Sequence, residues 1–255
     1  MTETPSPDPL AHVVVVLDEP QNLVNIAGVV RAMKNTGLSH LRLVRPAEFD
    51  PWRITGIAHR ADDVVDSTEI VDTLDEAVAD AVFVLGTTAR ARTAHRSWDY
   101  PRNWAPHLLT HTRRGGTVAL LFGREDRGLS NHGLDLCNGL CTIPTHPDYS
   151  SLNLAQAMLL VAYELFVEAT KPTEEALPLG KRYQRPATRH ELEQTFQALE
   201  EGLEKLDFFR ARKAESVMRT LRTMVSRAEP DEQEARLLRA VGFEIRNVVR
   251  RQESG

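Results

Sequence analysis

Cysteine is scarce in this chain, since only Cys137 and Cys141 occur among its 255 residues. Two cysteines cannot form a disulfide framework or a complete zinc site, and the nine histidines show no metal-ligand spacing with them. We therefore expect no bound metal. A reducing compartment is the simplest location for such a chain, so we expect the cytoplasm.

Long hydrophobic runs and an excess of positive charge are also missing. The longest apolar runs, such as Val13–Leu17, are far too short to span a bilayer, so we expect no membrane partner. The formal net charge is −5, from 31 Lys and Arg against 36 Asp and Glu. This balance argues against a surface that binds polyanions everywhere, so any contact with nucleic acid must come from local basic patches.

Two nucleotide-binding fingerprints are absent as well, the G-x-G-x-x-G of Rossmann folds and the G-K-[ST] of phosphate-binding loops. Hydrophobic residues nevertheless make up 42% of the chain, which is enough for a substantial core. The length allows one large domain, or one domain with an appendage.

The first 46 residues have the pattern of a β-α-β unit. Val13–Leu17 is rich in β-branched residues, which is typical of a strand buried on both faces. A helical apolar stripe starts near Asn25, Gly37 is placed to end that helix, and Leu41–Val44 forms a second strand. Parallel pairing with helices packed on the sheet is the default for such a unit, so we predict an α/β fold.

Two further predicted strands end at residues suited to hold a ligand. Gly86 and the hydroxyl residues after it follow a strand at Ala81–Leu85, and Gly123 follows another at Val118–Phe122. Open α/β sheets bind ligands at the carboxyl ends of their strands, and a glycine lets a ligand lie against the backbone. An ordinary turn explains the first position equally well, and the spacing of glycines after the second strand is a weak signal.

A third segment, Cys141–Glu168, contains a three-residue strand, a polar loop and a helix over Leu152–Leu165. Ser150 or Ser151 is predicted as the N-cap of that helix. The helix is apolar nearly all round, so we expect burial on more than one side, by the fold or by a partner subunit. A capped core helix is the simplest interpretation of this segment taken alone.

Composition divides the chain into four parts. Residues 1–10 are acidic and proline-rich and predict a disordered tail, and residues 11–170 form the α/β domain. Residues 171–187 contain three prolines and a glycine, which indicates a linker. Residues 188–255 hold three helical stripes and predict a small α-helical domain. Cap signatures precede two of these stripes, at Thr188–Glu191 and Asp231–Glu234.

Two patches are locally basic. Arg90–Arg102 interleaves arginines with Trp98 and Tyr100, and arginine neutralises phosphate while aromatic rings stack on exposed bases. A second basic cluster lies on the C-terminal helices. A solvated surface explains the first patch as well as RNA binding does, and it is the usual explanation for a cluster like the second. Residues 50–66 are predicted to be irregular, and four of their side chains fit an RNA groove or a plain surface connection: Trp52, Arg53, His59 and Arg60.

Three stretches resemble, in order, the signatures of the SpoU branch of the SPOUT methyltransferases. They are NLVNIAGVVRAMKNTG at Asn22–Gly37, VALLFGREDRGLSN at Val118–Asn131 and SSLNLAQA at Ser150–Ala157. Ala27 stands where many members carry glycine, which slightly weakens the first match. The remainder of the chain is similar to tRNA ribose methyltransferases of the TrmJ type, which carry a small helical C-terminal extension.

The resemblance implies a fold, a reaction and a cofactor. The fold would be a SPOUT-type parallel sheet with helices on both faces and a C-terminal trefoil knot, followed by the helical domain. The reaction would transfer a methyl group from S-adenosyl-L-methionine to a ribose 2′-hydroxyl of tRNA, in the anticodon loop at position 32, leaving S-adenosyl-L-homocysteine. The resemblance also implies a homodimer with its active site at the subunit interface, and no metal.

The resemblance also assigns residues. Arg31 would act at the methyl-transfer site, although by itself it reads as a solvated arginine. Because a guanidinium stays protonated, we expect Arg31 to hold a phosphate or stabilise the developing alkoxide and not to act as a base. The other catalytic candidates are Asn25, Ser151 and Asn153. The cofactor candidates are Thr87, Thr88, Ala89, Gly123, Glu125, Gly128, Ile143, Ser151, Leu152 and Asn153. The RNA-binding candidates are Arg90, Arg92, Arg96, Arg219 and Arg222.

Three other functions are weighed against this one. A ribosomal-RNA ribose methyltransferase would use the same fold, although the C-terminal helices count mildly against it. A non-catalytic RNA-binding dimer would have lost methyl transfer, although the signatures are intact. A base methyltransferase from another SPOUT branch would lack the S-S-L-N pattern.

Overall fold

The computed structural model describes residues 8–88, 97–171, 185–210 and 213–253. The chain divides into two compact units, Met1–Leu177 and Pro178–Gly255. Most of the predicted linker lies outside the described residues. Across the described ranges, no helix is both long enough and apolar enough to cross a bilayer.

Parallel strands form the central sheet of the first unit. They are β1 Val13–Asp18, β2 His40–Val44, β3 Glu69–Val71, β4 Ala81–Thr87, β5 Ser97–Asp99, β6 Thr117–Phe122 and β7 Gly139–Cys141. Their order is β3-β2-β1-β6-β4-β7-β5, and every pair is parallel. The predicted parallel α/β fold is therefore confirmed, whereas the trefoil knot stays a prediction.

Helices cover both faces of this sheet. They are α1 Leu23–Asn35, α2 Pro51–Ile57, α3 Asp62–Asp66, α4 Leu74–Val78, α5 Pro101–Arg113, α6 Asn131–Leu136 and α7 Leu154–Ala169. Val13 and Val15 share a core with α1, α5 and α7, while Val14 and Val16 share a second core with α4 and α6. Burial on both faces explains why β1 is apolar without alternation.

A close contact between α1 and α7 brings the first and third signatures together. A Cβ at Gly28 would lie 2.8 Å from the Cβ of Ala155, so this position accepts only glycine without a shift of one helix. Small residues allow two helices to approach more closely than the usual 8–10 Å between axes. The glycine thus positions the start of α7 beside the middle of α1.

Several elements of the fold differ from those predicted from the sequence. Residues 50–66 are not irregular, because Asp50 caps α2 through the Arg53 amide and the apolar Ile54 of α2 is buried in the core. The strands β3 and β5 and the helices α5 and α6 were also not predicted. Short strands of three residues carry too little periodicity to detect. The strand predicted at Cys141–Ile143 lies instead at Gly139–Cys141.

The second unit is a small helical domain. Its helices are α8 Arg189–Lys205, α9 Ala214–Ala228 and α10 Glu232–Glu253. Both predicted caps are confirmed: Thr188 and Glu191 exchange hydrogen bonds, and so do Asp231 and Glu234. Helices α8 and α10 touch through glycine, since a Cβ at Gly242 would lie 2.5 Å from the Ala198 carbonyl oxygen.

Candidate active site

A cavity lies between the second and third signatures, next to the first. It has a volume of ≈ 270 Å³, just below the usual range for small-molecule sites, about 300–1,000 Å³. Its walls come from the carboxyl ends of β4 and β6, the stretch after β7 and the start of α7. Eight of the predicted site residues line it: Thr87, Thr88, Gly123, Glu125, Gly128, Ile143, Ser151 and Leu152.

Gly123 is required by the fold of its own loop. A Cβ there would lie 2.2 Å from the carbonyl carbon of Gly128 and 2.3 Å from the amide nitrogen of Leu129. The loop closes on itself because the Gly128 amide donates to the Arg124 carbonyl oxygen at 2.8 Å, with Gly128 at φ +70°. Glycine was expected here to make room for a ligand, whereas the loop backbone itself occupies the space.

The last residue of β4 carries a polar atom with no hydrogen-bond partner among the described residues. Thr87 Oγ1 is buried and makes no hydrogen bond within the part of the chain that the structure describes. Leaving such a group unsatisfied costs about 1–3 kcal/mol, so a polar ligand group in the cavity would stabilise it. The turn after β4 is fixed, because the Thr88 amide donates to the Cys141 carbonyl oxygen at 2.9 Å and Thr142 Oγ1 donates to the Thr88 carbonyl oxygen at 2.9 Å.

Asn153, and not a serine, caps α7. Its Oδ1 accepts hydrogen bonds from the amides of Ala155 at 2.9 Å and Gln156 at 3.4 Å, so the helix begins at Leu154 and not at Leu152. The predicted serine cap is therefore wrong. Ser151 and Leu152 instead precede the helix, outside regular secondary structure, and line the cavity. An asparagine cap is as favourable as serine, and its amide nitrogen remains free to donate.

Three side chains join the three signatures. The Asn153 amide nitrogen donates to Asn25 Oδ1 at 2.8 Å, and the Asn25 amide nitrogen donates to Glu125 Oε1 at 2.9 Å. The Glu125 carboxylate also accepts the Gln21 backbone amide at 3.0 Å. Asn25 is free for this role because Asn22 is the N-cap of α1. The chain of hydrogen bonds ties the cavity loop to both helices.

We expect Asn25→Asp to disrupt this chain. The new carboxylate would replace a donor by an acceptor and place a negative charge within hydrogen-bond distance of Glu125, and like charges at that distance repel. Cofactor affinity should fall about tenfold, and the free energy of unfolding should fall by about 1–3 kcal/mol. Calorimetric titration and urea unfolding measure the two effects. Asn35→Asp, at the exposed end of the same helix, is the control: it should leave cofactor affinity unchanged and, through the helix dipole, lower stability by less than about 1 kcal/mol.

Arg31 lies on α1 but outside the cavity wall. Its side chain is exposed and makes no hydrogen bond or ion pair with any described residue. It follows Asn25 by six positions, or about 9 Å along the helix axis at 1.5 Å per residue. An unpaired guanidinium on the helix that carries Asn25 is available to a substrate.

The loop that lines the cavity is highly charged. Arg124 donates two hydrogen bonds of 2.8 Å to Asp126 and approaches Glu19 at 3.5 Å. The hydrogen bonds from Arg124 lower the pKa of the Asp126 carboxyl, which therefore stays ionised at neutral pH. Burial, with a smaller effect of Asp99, raises the pKa of Cys141 to about 12, so this thiol stays neutral and unreactive.

Some predicted residues cannot be placed in this site. Ala89, Arg90, Arg92 and Arg96 lie outside the described residues. Arg219 and Arg222 lie on α9 in the second unit, where Arg219 pairs with Glu215 at 3.0 Å. Arg222 pairs with Glu193, and its guanidinium lies 4.6 Å from the Phe196 ring centroid. Their contact with RNA stays a prediction.

Several residues at the site were not predicted. Leu134 and Ala157 line the cavity, and Thr142 supports it by a hydrogen bond. No pattern marks an apolar or hydroxyl side chain of this kind, because its role depends on distant parts of the chain. The Asn25–Glu125 contact also spans 100 positions, and only the match of both residues to signatures hinted at a shared site.

Sequence comparison supports the same interpretation. Residues 12–163 match the SpoU rRNA Methylase family, and residues 190–254 match the C-terminal domain of tRNA methyltransferase TrmJ. The tRNA (cytidine/uridine-2′-O-)-methyltransferase TrmJ of Klebsiella pneumoniae is 36% identical over 233 residues, which cover 91% of this chain and 95% of the relative. The tRNA (cytidine/uridine/adenosine-2′-O-)-methyltransferase TrmJ of Pseudomonas aeruginosa is 36% identical over 247 residues, covering 94% and 96%.

Solved structures agree. TrmJ from Z. mobilis ZM4 has a TM-score of 0.76 at 34% identity, covering 92% of this chain and 99% of that one. A putative methylase family protein from Neisseria gonorrhoeae has a TM-score of 0.66 at 34% identity, covering 76% and 97%. The family match covers more than half of the chain, and the relatives match it over most of both lengths. The chain therefore belongs to the SpoU methylase family, in the group that carries the TrmJ C-terminal domain.

Proposed function

We propose that this protein is an S-adenosylmethionine-dependent methyltransferase that modifies a ribose 2′-hydroxyl of tRNA, in the anticodon loop and in the cytoplasm. The observation that carries the proposal is a cavity lined by the second and third family signatures, to which Asn25 of the first signature is tied by hydrogen bonds to Glu125 and Asn153. Its tRNA substrate is inferred from relatives named as tRNA 2′-O-methyltransferases, which match both units of this chain.

The cavity suits S-adenosylmethionine in its chemistry. The unsatisfied Thr87 Oγ1 and the backbone of the loop after Gly123 would bind polar groups, and Ile143, Leu152 and Leu154 would cover apolar ones. The cofactor supplies a methyl group on a sulfonium, which is its own leaving group. Glu125 adds a carboxylate to a wall that would face a cationic ligand.

The protein must orient the ribose and assist loss of its proton. A 2′-hydroxyl is a weak acid, so a fixed positive charge beside it stabilises the alkoxide that develops. Arg31 is exposed and unpaired among the described residues and suits this role or that of a phosphate ligand. Ser151 at the cavity wall would position the substrate or the cofactor, and Asn153 would hold that segment through its cap.

The proposal includes a homodimer that covers α7. In the single chain this helix buries one side but exposes a second apolar side, and Arg31 lies outside the cavity of its own chain. A second copy would bury the exposed side and bring further residues to the cavity mouth. The exposed apolar residues of α7 are Leu159, Leu160, Tyr163 and Phe166, which are 39%, 42%, 54% and 36% exposed.

We expect the double substitution Leu160→Glu and Tyr163→Glu to give a monomer. Two carboxylates in an apolar interface would be buried without partners, which strongly opposes association. Light scattering after gel filtration measures the mass. Ile70→Glu is the control, because Ile70 is 53% exposed on β3, at the far edge of the sheet. A monomeric mass for the unsubstituted protein at micromolar concentration would contradict the dimer.

Radiolabelled methyl transfer to bulk tRNA and to ribosomal RNA tests the function. We expect incorporation into tRNA alone, and nuclease digestion with mass spectrometry should place the methyl group on a ribose in the anticodon loop. Incorporation into ribosomal RNA would favour the ribosomal alternative. RNA binding with no incorporation would favour a non-catalytic dimer, and methyl groups found on bases would overturn the ribose assignment.

A further inference from the structure

Trp98 and Tyr100 form an exposed aromatic pair at one edge of the sheet. Each is 43% exposed, and their ring centroids lie 5.5 Å apart at an interplanar angle of 63°. Trp98 belongs to β5, the last strand in the sheet order, and Tyr100 directly precedes α5. Two large adjoining rings left in contact with water indicate an interaction surface more strongly than a single exposed side chain does.

The pair is held in place without a ligand. Trp98 Nε1 donates to Thr142 Oγ1 at 2.8 Å, so its one polar group is satisfied and its orientation is set. Asp99 Oδ1 accepts the Tyr100 amide at 2.7 Å and Asn103 Nδ2 at 2.6 Å, which fixes the turn into α5. The exposed parts of the rings are therefore apolar and preorganised. Binding a partner there costs little conformational entropy of the protein.

The same hydrogen bonds connect the pair to the cavity. Thr142 Oγ1 also donates to the carbonyl oxygen of Thr88, a residue of the cavity wall, at 2.9 Å. Thr142 directly precedes Ile143, another residue of that wall, and its amide donates to the Asp99 carbonyl oxygen at 3.1 Å. A molecule stacked on the pair would thus lie beside the cavity and not on a remote surface.

We propose that Trp98 and Tyr100 are a stacking site for an RNA base next to the nucleotide that is methylated. This inference rests on the proposed function, which supplies the RNA. Bases in loops are unstacked and present their faces to aromatic side chains, and such stacking tolerates any base. A site of this kind would hold a flanking base while the target ribose enters the cavity.

Trp52 is a second exposed tryptophan with which Trp98 can be compared. It is 83% exposed on α2, more than Trp98, but no described contact joins it to the cavity. The hollow beside it is lined by both basic and acidic side chains, among them Arg60 and Asp62, and the neighbouring Arg53 is already paired with Glu48. Trp52 is therefore exposed like Trp98 but has no described link to the cavity, which makes it the control.

The test compares the full-length variants Trp98→Ala, Trp98→Phe and Trp52→Ala. Filter binding measures the Kd for unmethylated bulk tRNA, calorimetry measures the Kd for S-adenosylmethionine, and light scattering measures the mass. Loss of one stacked base should weaken tRNA binding about tenfold in Trp98→Ala. We expect Trp98→Phe to recover most of that loss because a phenyl ring still stacks, and Trp52→Ala to bind as the unsubstituted protein does.

Three results would overturn the stacking site. One is an unchanged tRNA Kd in Trp98→Ala. Another is equal loss in Trp98→Phe together with weaker cofactor binding, which would make the hydrogen bond to Thr142 the important contact. The third is a changed mass in Trp98→Ala, which would place a second copy on the pair. The proposed function fails separately, if the unsubstituted protein binds tRNA without methylating it.

Discussion

Replacing Arg31 with alanine is expected to abolish methyl transfer while cofactor binding stays nearly intact. Arg31 does not line the cavity, so its loss should leave the Kd for S-adenosylmethionine within about twofold. Removing one charge that stabilises a developing oxyanion costs about 100- to 1,000-fold in kcat, or about 3–4 kcal/mol. A methyl-incorporation assay on tRNA and a calorimetric cofactor titration measure the two quantities.

Lys34→Ala is the matched control for Arg31. Lys34 is also a cation on α1, but it pairs with Asp63 at 2.8 Å and should be dispensable for transfer. Arg31→Lys separates charge from shape, because lysine keeps the charge and loses the planar fork. Partial activity in Arg31→Lys would favour alkoxide stabilisation, and none would favour bidentate phosphate binding. Full activity in Arg31→Ala would refute a role for this residue in transfer.

Replacing Gly123 with alanine is expected to disrupt the cavity. The added Cβ would meet backbone atoms of Gly128 and Leu129 at 2.2–2.3 Å, and backbone cannot rotate aside as a side chain does. The loop must shift, so cofactor binding should weaken at least about tenfold. The free energy of unfolding should fall by about 1–3 kcal/mol, as in other overpacked sites. Calorimetric titration and urea unfolding measure these changes.

Gly56→Ala is the control for Gly123. It adds the same methyl group to a position with no atom within 4 Å, inside α2. Alanine is the better helix former by about 0.5–1 kcal/mol, so this variant should be as stable as the unsubstituted protein or slightly more so. Normal cofactor affinity in Gly123→Ala would show that the loop adapts and that its glycine is dispensable.

The interior of the first unit could be predicted from local pattern. The β-branched run of β1, the apolar stripe of α1 and the left-handed Gly37 at φ +74° each express a requirement that acts within a few residues. Such features can be read from the sequence because the spacing of buried residues and the geometry of a turn depend only on neighbouring residues. The caps at Thr188 and Asp231 were found for the same reason.

The partners of the site residues could not be predicted in this way. Sequence placed Ser150 or Ser151 at the start of α7, and both are good caps, but Asn153 caps it while donating to Asn25. Gly123 was correctly chosen as special, yet the atoms that exclude a side chain there belong to Gly128 and Leu129. Which residue takes each role depends on groups that distant parts of the chain bring to the site. The alternative helix caps differ in stability by only about 1 kcal/mol.

The sequence by itself determined the class of fold, the order of its main strands and helices along the chain, and three short stretches whose residue types mark the family. The tertiary structure alone decided that the second and third stretches line one cavity, that Asn25 bonds to both Glu125 and Asn153, and that Trp98 is fixed by Thr142. The physical reason is the distance along the chain over which each effect acts. Backbone preference and burial act between near neighbours, whereas a site is made by contacts across 100 or more positions, set only when the whole sheet has formed.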